Sequence, residues 1–392
     1  MNRFIYSTIA GLLIAVTILI TDICAEDRVA FSTKPIITNS GEKWRIGYLE
    51  GGPYSNYQSI FRAMISTLME SGWIEKAVIP ECKDEAETKT LWDFLATDAR
   101  SNYLKFSIDA YYGAQWNKEK REKIKSNIIK RLNSKKDLDL MLCFGTWAGQ
   151  DLANNQHKTS IMVLSASNAV QSGIIKSVED SGFDHVHAFI DPDRSKRQLR
   201  LFHEIAGFKK LGLAYENSSS GRSYAAVDDV IQLSQELGFE VVECAMPEDN
   251  QTPEIEDAQL VECYEKLAPK IDAVYMTDDS SLNINTIKKL LSPLFKYKVA
   301  MFAQARYDLV KYGILMGSGR SDFKSDAKFY ARVFSKILNG ASPGSLSQKF
   351  ESPLKIAINL ESTQKLSFRL PIEVIAGADE IYEKILDPEN DK

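Results

Sequence analysis

RIGYLE (Arg45–Glu50) opens a unit of apolar strand, turn and helix pattern that closes on MESGW (Met69–Trp73). KLGLAYE (Lys210–Glu216) opens a second such unit, and QELGF (Gln235–Phe239) closes it. A further pair follows in the same order: DLDLMLCFGTWAGQDL (Asp137–Leu152) parallels KIDAVYMTDDSSLNINTI (Lys270–Ile287). Glycine after a helix is a routine cap, so any single pair of βα units looks alike. Two units recurring in one order in both halves carry more weight. They predict two similar lobes side by side.

Working outward, short apolar runs alternate with longer amphipathic stretches. Strands are expected at 44–49, 104–111, 138–144, 160–164, 187–189, 210–215, 240–244, 273–276, 298–303 and 313–317. Helices are expected between them, among others over Lys118–Ser134, Tyr224–Leu237, Ser281–Leu294 and Phe323–Leu338, and last over Asp379–Leu386. Alternation of this kind builds parallel sheets from βαβ units. Short, wholly apolar strands suit sheets covered on both faces. The 392 residues suffice for two domains, at roughly 100–200 residues each. Residues 82–103 read as an insertion: charged, then aromatic at Trp92, Phe94 and Tyr103, forming a surface helix or flap.

Hydrophobic residues make up 44% and charged residues 26%, with a net charge of −5, the composition of an ordinary globular chain. The densest basic run, Lys118 to Lys136, is interleaved with Glu, Asn and Ile at helical spacing. That is a solvated helix face, and no nucleic-acid partner is expected. The N-terminus has Arg3, an apolar run from Ile9 to Ile20, Ile23-Cys24-Ala25 and then Glu26-Asp27. This is the pattern of a signal peptide cleaved after Ala25. A lipid-anchor role for Cys24 and an uncleaved anchor over Phe4–Ile20 are the alternatives; a residue smaller than Ile23 would be needed before a lipidated cysteine. The expected location is the periplasm. Four cysteines remain after cleavage: Cys82, Cys143, Cys244 and Cys263. Cys143 lies in an apolar run and reads as a buried thiol, and the sequence does not pair the four.

In open parallel sheets, ligands bind beyond the carboxyl ends of the strands. The residues there are of one kind: Glu50-Gly51-Gly52-Pro53-Tyr54, Gly145-Thr146-Trp147, Ser165 with Ser167 and Asn168, Glu216 to Arg222, Thr277 to Ser281, and Gln304 with Arg306. Singly, such hydroxyls and carboxylates are helix caps. Together they give two facing lobes a rim of polar groups and helix N-termini, which attract anions. Tyr54 and Trp147 add aromatic faces. The rim suits a small zwitterion or carboxylate. No phosphate loop or strand-anchored Gly-x-Gly-x-x-Gly is present. His185 and His187 have no nearby carboxylate–cysteine set to complete a metal site, and Asp278-Asp279 reads more simply as a cap. No catalytic residue, metal or cofactor is expected, so binding is favoured over catalysis.

VLSASNAVQSGIIKSVED (Val163–Asp180) resembles the ABC transporter substrate-binding protein family whose better-known members bind tryptophan or phenylalanine. The likeness continues through KLGLAYENSSSGRSY, IDAVYMTDDSS, VAMFAQ and FYARVFSKILNGASPGSL, and ends in LKIAINLESTQKLSFRLPIEVIAGADEIYE (Leu354–Glu383). It implies the α/β type I periplasmic binding-protein fold, two Rossmann-like lobes joined by a three-crossover hinge. The crossovers are expected near Ala166–Gln171, between Gln304 and Gly319, and near Phe350–Ala357. The implied organisation is a signal peptide over 1–25, a leader over 26–43, an N-terminal lobe of 44–166 with 318–349, and a C-terminal lobe of 167–317 with 350–388. Carried over by position, ligand contacts would come from Tyr54, Thr146, Trp147, Ser165, Asn168, Ser219, Ser220, Asp278 and Gln304. Asn168 stands where the family usually has Asp, and AQARYD (Ala303–Asp308) replaces a Ser-Asp-Glu-Gly pattern. The gain of Arg306 points to a ligand of more carboxylate or neutral polar character. The resemblance implies a monomeric importer component that delivers an amino acid or related carboxylate to an ABC permease and its ATPase. A sensory protein presenting its ligand to a membrane receptor is the alternative, and an enzyme on a related two-lobed scaffold, such as a glycosyl transferase, is a third reading.

Overall fold

The computed structural model describes residues 31–84, 86–247, 252–319 and 323–390. The expected signal peptide and the start of the leader lie outside these residues.

The first lobe opens with β1 (Trp44–Glu50) and α1 (Ser55–Glu70). Then come α2 (Lys89–Thr97), β2 (Leu104–Gly113), α3 (Lys118–Ser134), β3 (Leu140–Phe144), α4 (Gly145–Leu152), β4 (Ser160–Leu164) and β5 (Val186–Ala188). The five strands form one parallel sheet in the order β2-β1-β3-β4-β5. LMLCF of β3 is buried at every position, as a strand covered by helices on both faces must be. The edge strand β2 is only partly buried. Helix α3 shows the reverse economy: only Ile128 and Leu132 are buried, and its charged faces meet water.

The chain then crosses to α5 (Arg194–Ala206), β6 (Lys210–Glu216), α6 (Ser219–Tyr224), α7 (Val227–Leu237), β7 (Glu240–Met246), α8 (Pro253–Leu267), β8 (Ala273–Met276), α9 (Ile287–Tyr297), β9 (Ala300–Ala303) and β10 (Met316–Gly319). Helix α10 (Lys324–Leu338) returns to the first lobe, where Tyr330 and Phe334 join its core. Finally β11 (Lys355–Asn359), α11 (Leu360–Leu366), α12 (Ile372–Gly377) and β12 (Glu380–Tyr382) complete the second lobe. Its seven strands run β12-β11-β10-β9-β8-β6-β7, with β10 and β11 antiparallel and the other pairs parallel. Each lobe has its own apolar core.

Four expectations are corrected. The first crossover is not at 166–171. β5 pairs with β4, and Ala169, Ile174 and Ile175 are buried in the first core. Residues 167–188 therefore belong with the first sheet, and the chain leaves it after Ala188. The helix expected over Asp379–Leu386 is instead strand β12, which pairs parallel with β11; an open sheet edge outweighs a short stretch's propensity. The helix expected over Tyr224–Leu237 breaks at Ala226, whose φ is 52°. The segment 82–103 forms a helix, one of its two expected forms, but its aromatic side chains Trp92 and Phe94 are core rather than surface. α2 drives Trp92 into the first core with 0% exposure, where it meets Tyr48 and Phe61. Cys244 and Cys263 form a disulfide between β7 and α8, while Cys82 and the buried Cys143 are free thiols.

Candidate functional site

The carboxyl ends of both sheets face one another across a cavity of about 160 Å³. The first lobe contributes Tyr54, Tyr57, Trp116, Thr146, Trp147 and Ser165. The second contributes Glu216, Ser220, Tyr224, Glu256, Asp278 and Asp279. Six of these twelve are aromatic or small hydroxyl groups on the first lobe, and four are acids on the second, so the two walls differ in character.

The aromatic wall is built on glycine. A Cβ at Gly52 would stand 2.7 Å from three atoms of the Trp116 indole, so only glycine lets the ring lie on the turn after β1. Trp116 Nε1 donates to the Pro53 carbonyl at 3.0 Å and fixes the ring's rotation. Trp147 meets Trp116 edge to face at 5.5 Å, a favoured geometry for two quadrupoles. The Arg121 guanidinium lies 4.6 Å from the Trp147 ring and is itself held by Asp151 at 2.9 Å. Gly145 has φ 84°, and a Cβ there would strike the Tyr57 hydroxyl. That position must therefore remain glycine for Tyr57 to reach the cavity.

The acidic wall is held by backbone. Asp278 N–H donates to Gln304 Oε1 at 2.9 Å, and Gln304 Nε2 donates to the Tyr224 carbonyl at 2.9 Å. The Asp279 carboxylate accepts from Ser281 N–H at 2.8 Å and from the Tyr224 hydroxyl at 3.2 Å. Burial pushes its pKa up to about 6 despite those bonds. Glu256 is pushed up to about 7, first by burial and then by the nearby charges of Asp279, Glu216 and Asp257, with Lys118 opposing. Tyr54 donates to Asp278 from the opposite lobe. Burial first, and then the Asp278 charge, hold the Tyr54 phenol well above its usual range.

A model of the family described as ABC transporter substrate binding protein matches residues 107–382. The chain belongs to this family. Members bind substrates and are not enzymes. Among solved structures, this substrate-binding protein is similar to a conserved domain protein from Vibrio cholerae, at 18% identity and a TM-score of 0.65. It is also similar to an ABC domain in complex with L-Trp from Streptococcus pneumonia, at 16% identity and a TM-score of 0.66. A third is the ligand-free, open structure of a substrate binding protein with adhesive properties from Clostridium difficile, at 19% and 0.56. Each likeness covers 87% of this chain and 100% of the other. At such identities they show the fold alone, which is that of the type I periplasmic binding proteins. No curated protein matches the sequence.

Of the ten contacts expected in this substrate-binding protein, six line the cleft: Tyr54, Thr146, Trp147, Ser165, Ser220 and Asp278. Four do not. Ser219 is exposed at the start of α6. Asn168 turns its amide oxygen onto the N–H groups of Val170 and Gln171, capping its own turn. It lines, with Gln304, a separate cavity of about 20 Å³. Arg306 is 7% exposed and is not among the residues lining the cleft, although its charge is felt by Tyr54. Its guanidinium is occupied by Asp308 at 2.7 Å and by the Leu282 carbonyl at 3.0 Å. Arg306 therefore supplies no free charge for a ligand carboxylate. His185 and His187 each turn Nε2 onto a backbone carbonyl, of Asn154 and Ser347.

Trp116 escapes the sequence reading because β2 runs on to Gly113, two residues past its expected end. Applying the strand-end rule there would have found it. Glu256 carried no such signal. It stands on α8, beyond β7, and only the packing of that helix brings it to the cleft.

Proposed function

We propose that this chain is the extracytoplasmic solute-binding component of an ABC importer. It takes up a small polar molecule between its lobes and presents the closed form to a membrane permease and its ATPase. The observation that supports this most is the cleft itself: one cavity lined by the strand ends of both lobes, in a chain of the substrate-binding family. A ligand held there touches both walls at once, so its binding energy favours the closed arrangement over the open one. The N-terminal signal pattern, Arg3 through Ala25, supports export to the periplasm. Among the described residues no helix is long and apolar enough to cross a membrane.

The test is a thermal-shift screen of residues 26–392 against amino acids, amines, carboxylates, nucleosides and sugars. A ligand at about 100 times its Kd should add roughly 2.7 kcal/mol of stability. A stabilising compound recovered unchanged by mass spectrometry upholds the reading. A compound recovered chemically altered overturns it.

A further inference from the structure

We propose that the cleft takes a small organic cation, an amine on an apolar or aromatic body with no carboxylate of its own. This rests on the reading of the cleft as the solute site and names the class of solute. The walls carry four carboxylates, Glu216, Glu256, Asp278 and Asp279, against one ammonium, Lys118. The arginines around the cleft are engaged elsewhere. Arg121 is held by Asp151, Arg222 by Asp228, and Arg306 by Asp308, while Arg194 donates to the Gln304 carbonyl at 3.4 Å.

The magnitudes decide the sign. The N-terminus of α4, at Gly145, lies at the ring wall. It offers a ligand carboxylate about half a positive charge. Four acids oppose it, and even Glu256, whose pKa is raised to about 7, is about half ionised at neutral pH. A ligand anion would meet net repulsion, and a cation would relieve the mutual repulsion of Glu256, Asp279 and Glu216. Complementary charge of this kind selects partners more sharply than buried area does. The opposite wall suits the rest of such a molecule. Trp116, Trp147, Tyr54 and Tyr57 offer ring faces and edges to an apolar body, and a ring face also attracts a cation. Acids on one lobe and rings on the other mean that an amine with an apolar body must touch both lobes.

The experiment uses matched probes that share a body and differ only in charge. They are tryptamine, tryptophan and indole-3-propionate; then phenethylamine, phenylalanine and 3-phenylpropionate; then agmatine and arginine. Binding to residues 26–392 is measured by calorimetry. In at least one set the amine should bind about tenfold or more tighter than its zwitterion, and no anion should bind detectably. Glu256→Gln and Asp279→Asn should each weaken that amine about tenfold while the fold, read by circular dichroism, is kept. A zwitterion or anion that binds as tightly as its amine overturns the proposal and leaves the solute-binding reading standing. Absence of amine binding in all sets overturns it too. The solute-binding reading is then judged separately, by whether the protein purified from its host carries an unaltered small molecule.

Discussion

The Tyr54 hydroxyl, on the turn after β1, donates to the Asp278 carboxylate after β8, so one hydrogen bond joins the two lobes across the cleft. Asn56 Nδ2 donates to the same hydroxyl at 3.1 Å and steadies it. A second bond between the lobes runs from the Ser223 hydroxyl to the Asn168 carbonyl at 3.3 Å. Tyr54→Phe should shift the population toward the open form by the worth of one charge-assisted bond, about 1.5–3 kcal/mol. Small-angle scattering would show this as a larger radius of gyration. An unchanged radius would mean that the bond does not hold the lobes together.

Glu50 gives a pH dependence. Its carboxylate accepts from Thr88 at 2.7 Å, Tyr48 at 2.8 Å and Tyr111 at 2.9 Å. Burial still dominates and raises its pKa to about 7. An acid whose folded pKa lies above its unfolded value binds more protons when folded. Stability then falls as pH rises from the unfolded value, roughly 4.3, to about 7. For a shift of this size the loss is about 4 kcal/mol. Glu50→Gln should remove that slope, so the variant gains on the parent between pH 5 and pH 8. Parallel urea midpoints across that range would sink the assignment.

Arg306 separates stability from binding. Losing the guanidinium deprives Asp308 of its partner and the Leu282 carbonyl of its donor. Arg306→Ala should cost about 1–3 kcal/mol of stability. It should leave the affinity for the best ligand in a screen changed less than twofold. A large loss of affinity with unchanged melting would put the side chain back in the cleft.

Trp92→Ala tests the place of the 82–103 segment. A surface flap would tolerate it within about 0.5 kcal/mol. A core tryptophan at 0% exposure should lose about 3–5 kcal/mol, read as a lower urea midpoint.

The Cys244–Cys263 bridge closes a loop with a sequence separation of 19. Closing a loop of that length contributes about 3 kcal/mol in the chain-entropy model. Reductant, or the double serine variant, should lower Tm accordingly, and a Tm indifferent to both would show that the bond contributes nothing.

The sequence alone determined the parts that depend on period and order. Apolar runs such as LMLCF and AVYM, alternating with amphipathic stretches, read as buried strands, and two βα units recurring in one order in both halves point to two lobes. The strand-end rule then found Tyr54, Thr146, Trp147, Ser165, Ser220 and Asp278, because their place follows from local connectivity. Tertiary structure decided the rest. Whether Glu380–Tyr382 becomes strand or helix depends on the open edge of β11. Whether Trp92 is core or surface depends on the groove beside Tyr48 and Phe61. Arg306 reads as a ligand group until Asp308 folds against it, and Glu256 reads as helix surface until α8 packs at the cleft. A charge's partner is chosen in space, often far along the chain, and the sign of the cleft is the sum of those choices.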